Sequence, residues 1–256
     1  MCFPDDAVPP IDPIAGGALD GQRLILEADD GSRLLAFGAR AAGPIGAGIV
    51  IAPDVRGLHP YYEELALRFA EAGVDAIAFD FFGRTAGTAE RAADFGAMEH
   101  AGRTTWVGLQ TDLRAALGWL RSAADGGPRS VFVVGFCFGG RLAYDAATLE
   151  VGLSGAIAFY GVPVGPGRND LPAPIEVVDR MRCPILGLFG GADRAISAEA
   201  VAAFDAALTG AGVEHEIVTY PDAPHSFFDK TFEEHAAASA DSWSRVLAFI
   251  RSRSSA

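Results

Sequence analysis

Short apolar runs alternate with longer stretches of helical period along most of this chain, and this alternation limits the possible folds more than any other feature. Gly48 to Ala52 and Val74 to Phe79 are two such runs. Between them, Tyr61 to Ala72 carries apolar residues at helical spacing and stops at Gly73. A strand, a helix and a second strand in this order form a parallel βαβ unit. The sequence therefore predicts an α/β fold.

The same pattern continues to the end of the chain. A helix predicted at Thr105 to Ala123 leads into an almost continuous apolar strand at Ser130 to Val134, as expected where both sheet faces are covered. Near the start, Arg23 to Glu27 and Arg33 to Gly38 flank the turn sequence Asp29-Asp30-Gly31-Ser32, which favours a hairpin. Further strands are predicted at Gly155 to Tyr160, Pro184 to Phe189 and Glu216 to Tyr220, and helices at about Ser197 to Gly210 and Phe232 to Ser252. We expect a mostly parallel sheet of about seven or eight strands with helices on both faces.

Length and composition indicate one globular domain. Of the 256 residues, 50% are hydrophobic and 21% are charged, which excludes a disordered or collagen-like chain. Folds of the α/β class reach about 250 residues without splitting, so we expect a single domain over residues 1–256, with 1–20 as an N-terminal extension. The Gly- and Pro-rich segment Gly161 to Pro174 is predicted to be a loop, and a lid or pocket wall is its expected role.

Charge and cysteine content exclude several classes of partner. Twenty Lys and Arg against 33 Asp and Glu leave a formal charge of −13, which repels phosphate backbones and anionic lipids, so we expect neither nucleic acid nor membrane as a partner. Cys2, Cys137 and Cys183 are too few and too scattered for a disulfide framework or a zinc site. The first ten residues lack the features of a secretion signal, and no window approaches about 18 apolar residues. We therefore expect a cytoplasmic protein, either a monomer or a small homo-oligomer.

One motif carries the candidate chemistry. Directly after the strand Ser130 to Val134 comes Gly135-Phe136-Cys137-Phe138-Gly139-Gly140, followed by a predicted helix from Arg141 to Thr148. This is the G-x-C-x-G form of a nucleophile elbow, in which glycines two before and two after the nucleophile let neighbouring backbone pass closely. The turn places Cys137 at a helix N-terminus, which favours the thiolate. The alternative is a buried core cysteine, the usual role of a lone Cys.

A nucleophile of this kind needs a base and a carboxylate that orients the base. Asp193 follows the strand Pro184 to Phe189, and His225 follows the strand Glu216 to Tyr220. The order Cys, Asp, His is that of hydrolases with a nucleophile elbow. Asp222 is an alternative acid, but it shares a loop with His225 and would have to fold back on it. Local or solvated roles are expected of the other four histidines, His59, His100, His215 and His235.

Several separate segments resemble the dienelactone hydrolase family of α/β-hydrolases, from about Gly21 to the last helix. They are Ile49 to Gly57, Phe79 to Arg84, Gly135 to Gly140, Phe159 to Gly161, Gly190 to Asp193 and His225 to Phe227. The resemblance implies an α/β-hydrolase fold and a triad of Cys137, Asp193 and His225. It also implies an oxyanion hole formed by the backbone amides of Val55 and Phe138.

The resemblance is less complete around the substrate. Family members that hydrolyse dienelactone have a glutamate where this chain has Asp54, so Asp54 is expected either to help deprotonate the thiol or to hold the Val55 loop in place. Arg84 matches the first of two arginines that bind the substrate carboxylate, and a surface ion pair is its alternative role. Asp229 stands where the second arginine would be.

These features predict an enzyme without a cofactor or metal that cleaves an ester or lactone bond of a small molecule. The expected substrate contacts are Arg84, Phe82, Tyr160, Phe227 and Phe228. The missing second arginine and the aromatic residues also fit a broad carboxylesterase or thioesterase for neutral substrates. A thiol sensor or a ligand-binding protein on the same fold is the alternative from outside enzymology, and it predicts no ester turnover.

Overall fold

The alternation of strands and helices is present in the computed structural model of the protein, which describes residues 7–89, 91, 95–123 and 127–254. The strands of this described part are β1 (Ala18–Glu27), β2 (Arg33–Ala41), β3 (Ala47–Ala52), β4 (Val74–Phe79), β5 (Ser130–Phe136), β6 (Gly155–Phe159), β7 (Ile185–Gly190) and β8 (His215–Tyr220). Its helices are α1 (Pro60–Glu71), α2 (Gly83–Ala86), α3 (Ala97–Arg103), α4 (Trp106–Arg121), α5 (Phe138–Ala146), α6 (Ala198–Gly210) and α7 (Ala236–Ser252). Single-turn 3₁₀ helices lie at Pro174–Glu176 and Val178–Arg180.

Most boundaries agree with the sequence prediction, and the differences have local causes. β1 begins at Ala18, so the last residues of the predicted N-terminal extension belong to the sheet. The helix predicted from Phe232 begins at Ala236, because the chain makes a series of turns before it. The short helices α2 and α3 were not predicted, since four and seven residues contain too few turns to give a clear period.

The strands form one sheet in the order β1-β2-β4-β3-β5-β6-β7-β8. The hairpin of β1 and β2 pairs antiparallel, and β2 is also antiparallel to β4. From β4 to β8 every neighbouring pair is parallel. The predicted mostly parallel sheet of about seven or eight strands is confirmed, and it has eight strands among the described residues.

Contacts of individual glycines show which helices cover each face. In β3, a Cβ on Gly48 would meet Leu120 of α4, whereas the neighbouring Ile49 pairs with Phe132, whose ring packs on Phe249 of α7. Adjacent residues of a strand point to opposite faces, so α4 and α7 cover different sides of the sheet. Helices therefore cover both faces, as predicted.

Ring contacts assign α1 to one of these faces and join α5 to α6. Phe69 of α1 packs on Trp243 of α7, with ring centroids 4.8 Å apart, so α1 shares the α7 face. Tyr144 of α5 packs on Phe204 of α6, with centroids also 4.8 Å apart. Between these layers the central strands β3 to β7 are buried along their whole length. Among the described helices, none combines the length and apolar character needed to cross a bilayer.

Asp145 is a carboxyl group enclosed in this core. It lies on α5 with 0% of its surface exposed, and in the described part of the chain neither side-chain oxygen has a hydrogen-bond partner. Burial raises its pKa to about 8, against the attraction of Arg141 and Arg180. The folded protein therefore holds this side chain as the neutral acid at neutral pH.

The raised pKa of Asp145 predicts a loss of stability as the pH rises. Below pH about 4 both folded and unfolded states carry the proton, and between about 4 and 8 only the unfolded state releases it, so the free energy of unfolding falls over this range. Relative to that of the wild type, the free energy of unfolding of Asp145→Asn should rise by at least about 2 kcal/mol between pH 5 and pH 8. Denaturant unfolding at both pH values measures the gain, with the exposed Asp222→Asn as control. An unchanged difference between wild type and Asp145→Asn at the two pH values would contradict the assignment.

Candidate active site

Cys137 occupies the turn between β5 and α5. Its backbone has φ 54° and ψ −108°, a conformation that residues with side chains rarely adopt. A Cβ on Gly135 would collide with the backbone of Gly139, and a Cβ on Gly139 would collide with the backbone of Ala52. The glycine spacing is therefore required by close backbone contacts on both sides of the turn. The side chain at its apex is partly exposed and lies at the N-terminus of α5.

His225 and Asp193 meet because they follow the neighbouring parallel strands β8 and β7. His225 Nδ1 lies 2.7 Å from Asp193 Oδ2. The other carboxylate oxygen accepts hydrogen bonds from the backbone amides of Ala195 at 2.7 Å and Ile196 at 3.3 Å, which fixes its orientation. Asp222, the alternative acid, is exposed to solvent.

His225 also hydrogen-bonds the thiol of Cys137, so the three predicted triad residues lie in one chain of contacts. Burial lowers the pKa of His225, but the hydrogen bonds and negative charges of Asp193 and Cys137 raise it to about 10. A pKa in this range keeps the imidazole in its cationic form at neutral pH. Burial raises the pKa of the Cys183 thiol to about 12, which makes that thiol a poor nucleophile. Cys2 lies outside the described residues.

The two predicted oxyanion-hole amides come from loops at the same sheet edge. Phe138 is the first residue of α5, where backbone amides have no partner within the helix. Val55 follows β3, and its amide donates no hydrogen bond to another described residue. Both side chains are partly exposed. Both amides follow the carboxyl ends of β3 and β5, which are neighbouring parallel strands, so they lie at the sheet edge that carries Cys137.

Asp54 holds the loop that presents Val55. Its carboxylate is 0% exposed and accepts a hydrogen bond from the backbone amide of Arg56 at 2.8 Å. The Arg56 guanidinium lies 3.4 Å from both carboxylate oxygens, and the Asp54 amide donates to Tyr62 Oη at 2.9 Å. Of the two roles predicted for Asp54, these contacts support the loop-holding one. Arg56 and Tyr62 are not among the predicted site residues, although the spacing Asp-x-Arg gives a signal for the first.

Arg84 is bound by protein carboxylates. Its guanidinium lies 2.8 Å from Asp112 and 2.5 Å from Asp30, and it donates to the hydroxyls of Ser32 and Thr111 at 2.8 and 2.6 Å. Burial raises the pKa of Asp112 to about 6, although the bonds to Arg84 oppose this rise. The predicted role of Arg84 as an anchor for a substrate carboxylate is not supported by this geometry. Its contacts are those of the alternative, an ion pair of the protein itself.

The four aromatic residues predicted to contact substrate, Phe82, Tyr160, Phe227 and Phe228, are all 0% exposed. Tyr160, Phe227 and Phe228 all pack on Phe159, whereas Phe82 packs on Phe95 and His100. The ring centroids of Tyr160 and Phe227 are 5.6 Å apart, and those of Tyr160 and His225 are 5.0 Å apart. Direct contact with a substrate is therefore not supported for them. Their apolar area stabilises the core beneath the site, which is the common role of buried aromatic side chains.

The long loop after β6 is fixed to the helices on both sides of it. The guanidinium of Arg141, one turn beyond Cys137 on α5, donates to the backbone carbonyls of Gly165, Leu171 and Pro172. Further along, Asn169 donates to Thr104, and Asp170 accepts from the amide of Trp106 at 2.6 Å. These bonds suit a fixed pocket wall better than a mobile lid.

Three of the remaining histidines have local contacts: His59 caps α1, His100 lies 2.9 Å from the Thr85 hydroxyl, and His215 lies 3.1 Å from Asp205. His235 directly precedes α7. Within the described part of the chain, no group of three or more His, Cys, Asp or Glu side chains is placed to hold a metal ion.

Comparison with known proteins shows the family of the chain. A family model described as the dienelactone hydrolase family matches residues 36–254. A protein of Escherichia coli strain K12 named "Putative carboxymethylenebutenolidase" is 30% identical over 228 residues, which cover 86% of this chain and 83% of that protein.

Solved structures give the same result. The crystal structure titled "Putative Dienelactone Hydrolase", from Klebsiella pneumoniae subsp. pneumoniae MGH 78578, is 28% identical, covers 90% of this chain and 98% of its own, and superposes with a TM-score of 0.79. The Pyrococcus furiosus esterase Pf2001, at 14% identity, covers 98% of this chain and 99% of its own with a TM-score of 0.67, so it shares the fold. The chain thus has the α/β-hydrolase fold and belongs to the dienelactone hydrolase family.

Proposed function

We propose that this protein hydrolyses ester or lactone bonds of small molecules with Cys137 as nucleophile, His225 as proton carrier and Asp193 as the carboxylate that orients His225. The observation that carries the proposal is the continuous contact from the elbow thiol through the imidazole to a carboxylate fixed by two backbone amides. Membership of the dienelactone hydrolase family supports a hydrolase of that type.

The first half of the proposed reaction forms a thioester. Cys137 Sγ attacks the carbonyl carbon, and the amides of Val55 and Phe138 donate to the oxygen that becomes negative. When the carbonyl re-forms, the bond from carbon to the leaving oxygen breaks. The proton of the His225 imidazolium passes to that oxygen, so an alcohol, or the free hydroxyl end of an opened lactone, is released.

The second half returns the enzyme to its starting state. Neutral His225 accepts a proton from water, and the hydroxide attacks the thioester carbonyl. The carbon–sulfur bond breaks, the acid product leaves, and Cys137 remains as the thiolate beside the imidazolium. No metal or organic cofactor takes part in this scheme.

The charges around the thiol support neutral substrates over carboxylated ones. Arg84 is bound to Asp112 and Asp30, and the Arg56 guanidinium faces Asp54. Asp229, at the position where the family's second arginine would be, is itself acidic. A broad carboxylesterase or thioesterase activity on neutral substrates is therefore the second candidate function, and the pairing of Arg84 is the observation that favours it.

A role as a thiol sensor or as a ligand-binding protein would explain Cys137 but not its contacts with a histidine and a carboxylate. Neither requires a histidine held by an oriented carboxylate, and the bond of 2.7 Å between His225 and Asp193 therefore favours catalysis. A thiolate nucleophile works only while it is reduced, so we place the enzyme in the cytoplasm.

Substitution of the triad residues should abolish hydrolysis while leaving the fold intact. We expect Cys137→Ala and His225→Ala each to lower kcat/KM for a p-nitrophenyl ester by about 10³- to 10⁶-fold, and Asp193→Asn by somewhat less, because triad members act as a unit. Cys183→Ala is the matched control and should keep wild-type activity. If Cys183→Ala lost activity while Cys137→Ala retained it, the proposal would be wrong.

Substitution of Arg84 should affect stability more than substrate choice. Arg84→Ala leaves the buried Asp112 without its partner and should lower the free energy of unfolding by about 2 kcal/mol, and adding Asp112→Asn should restore part of it. Rates for a neutral lactone and its carboxylated analogue should change by the same factor. A rise in KM for the carboxylated lactone alone would restore Arg84 as the substrate anchor.

A further inference from the structure

Asp229 is a buried carboxyl group that the proposed reaction does not use. It lies on the loop that carries His225 and is 1% exposed. Tyr160 Oη donates a hydrogen bond to Asp229 Oδ2 at 2.8 Å, and the backbone amide of Lys230 donates to Oδ1. A buried carboxyl group is costly unless its oxygens are hydrogen-bonded. The Tyr160 hydroxyl is therefore the side-chain group that makes this acid tolerable at this position.

Tyr160 links the buried acid to the imidazole. Its ring centroid is 5.0 Å from that of His225, with the two planes inclined at 54°. Its backbone amide donates to the carbonyl of Leu188 on β7 at 2.8 Å, and its φ is 40°, which is rare for a residue with a side chain. Tyr160 is thus held by β7 at its backbone amide and by Asp229 at its hydroxyl, and the imidazole lies against its ring.

A tight turn after His225 places Asp229 near the imidazole. Ser226 has φ 61°, and its carbonyl accepts the amides of Asp229 at 3.2 Å and Lys230 at 3.0 Å, which closes a tight turn. The turn brings the Asp229 carboxyl group near enough to His225 for their charges to interact. The unusual backbone at Ser226 and Tyr160 is thus found at the two segments that the Tyr160–Asp229 bond joins.

We propose that Tyr160 and Asp229 form a positioning pair that fixes the His225 imidazole at a further place, besides its bonds to Asp193 and Cys137. Those two bonds lie at the edge of the ring and leave it free to rotate about the line between them. The side of the Tyr160 ring, anchored through Asp229, removes this freedom. The pair acts on the proton-carrying step, so its loss lowers kcat and leaves KM unchanged; this part rests on the proposed function.

The chain supplies a matched control for this inference. Tyr61 is also 0% exposed, and its hydroxyl donates at 2.9 Å to the carbonyl of Phe228, the residue next to Asp229. Tyr61→Phe therefore removes a buried hydrogen bond of similar length to the same loop. No contact between the rings of Tyr61 and His225 is found among the described aromatic contacts.

The experiment compares Tyr160→Phe, Asp229→Asn, their double variant and Tyr61→Phe, with folding checked by thermal unfolding. The first readout is ester hydrolysis, and the second is the rate at which iodoacetamide alkylates Cys137, followed by peptide mass analysis. We expect Tyr160→Phe and Asp229→Asn each to lower kcat and the alkylation rate by about tenfold or more, with KM unchanged and no further loss in the double variant. Tyr61→Phe should stay close to wild type in both readouts.

Two results would overturn the inference: wild-type alkylation rates in Tyr160→Phe and Asp229→Asn, or an equal loss in Tyr61→Phe. Should one of the two variants fail to fold, the other decides. The alkylation readout needs no substrate. If wild-type protein hydrolyses no ester, the proposed function fails, while the effect of the pair on Cys137 and His225 is still measured.

Discussion

The close approach of backbone around Cys137 is the constraint on which the rest of the site depends. Gly139 packs against the end of β3, and Gly140 packs against the carbonyl of Phe159 at the end of β6. The turn at Cys137 is therefore enclosed between these two strands. The segments that follow the strands carry Val55 and Tyr160, and the Tyr160 ring lies against His225 with ring centroids 5.0 Å apart. A side chain on any glycine of this turn would separate the parts of the site from one another.

The aspartates at the site are paired with hydrogen-bond donors, although the whole chain has a formal net charge of −13. Three aspartates with little or no exposed surface, Asp54, Asp193 and Asp229, follow strands at this edge of the sheet, and each contacts a donor. The donor is Arg56 for Asp54, His225 for Asp193 and Tyr160 for Asp229. Of the three, Asp193 is the one whose partner, His225, also contacts the thiol. The contacts of Asp54 and Asp229 hold the loops that carry them.

Features fixed by neighbours in sequence could be predicted, whereas those fixed by distant partners could not. The strand, the glycine spacing and the helix around Cys137 are all contained in one short segment, and the sheet follows from the same local periods. Arg84 is different, because its partners Asp112 and Asp30 are 28 and 54 residues away. The burial of Phe227 and Phe228 likewise depends on how a loop folds over the core. The early start of β1 was missed because Asp20, Gly21 and Gln22, which directly precede the predicted strand, are not apolar and are exposed.

The proposed reaction requires a covalent acyl intermediate on Cys137. Rapid mixing of the protein with an ester that deacylates slowly, followed by acid quenching and peptide mass analysis, detects such an intermediate. We expect one acyl group on the peptide that contains Cys137, and none when His225 is replaced by alanine. Turnover of the ester without an acyl group on that peptide, or with the group on Cys183, would contradict it.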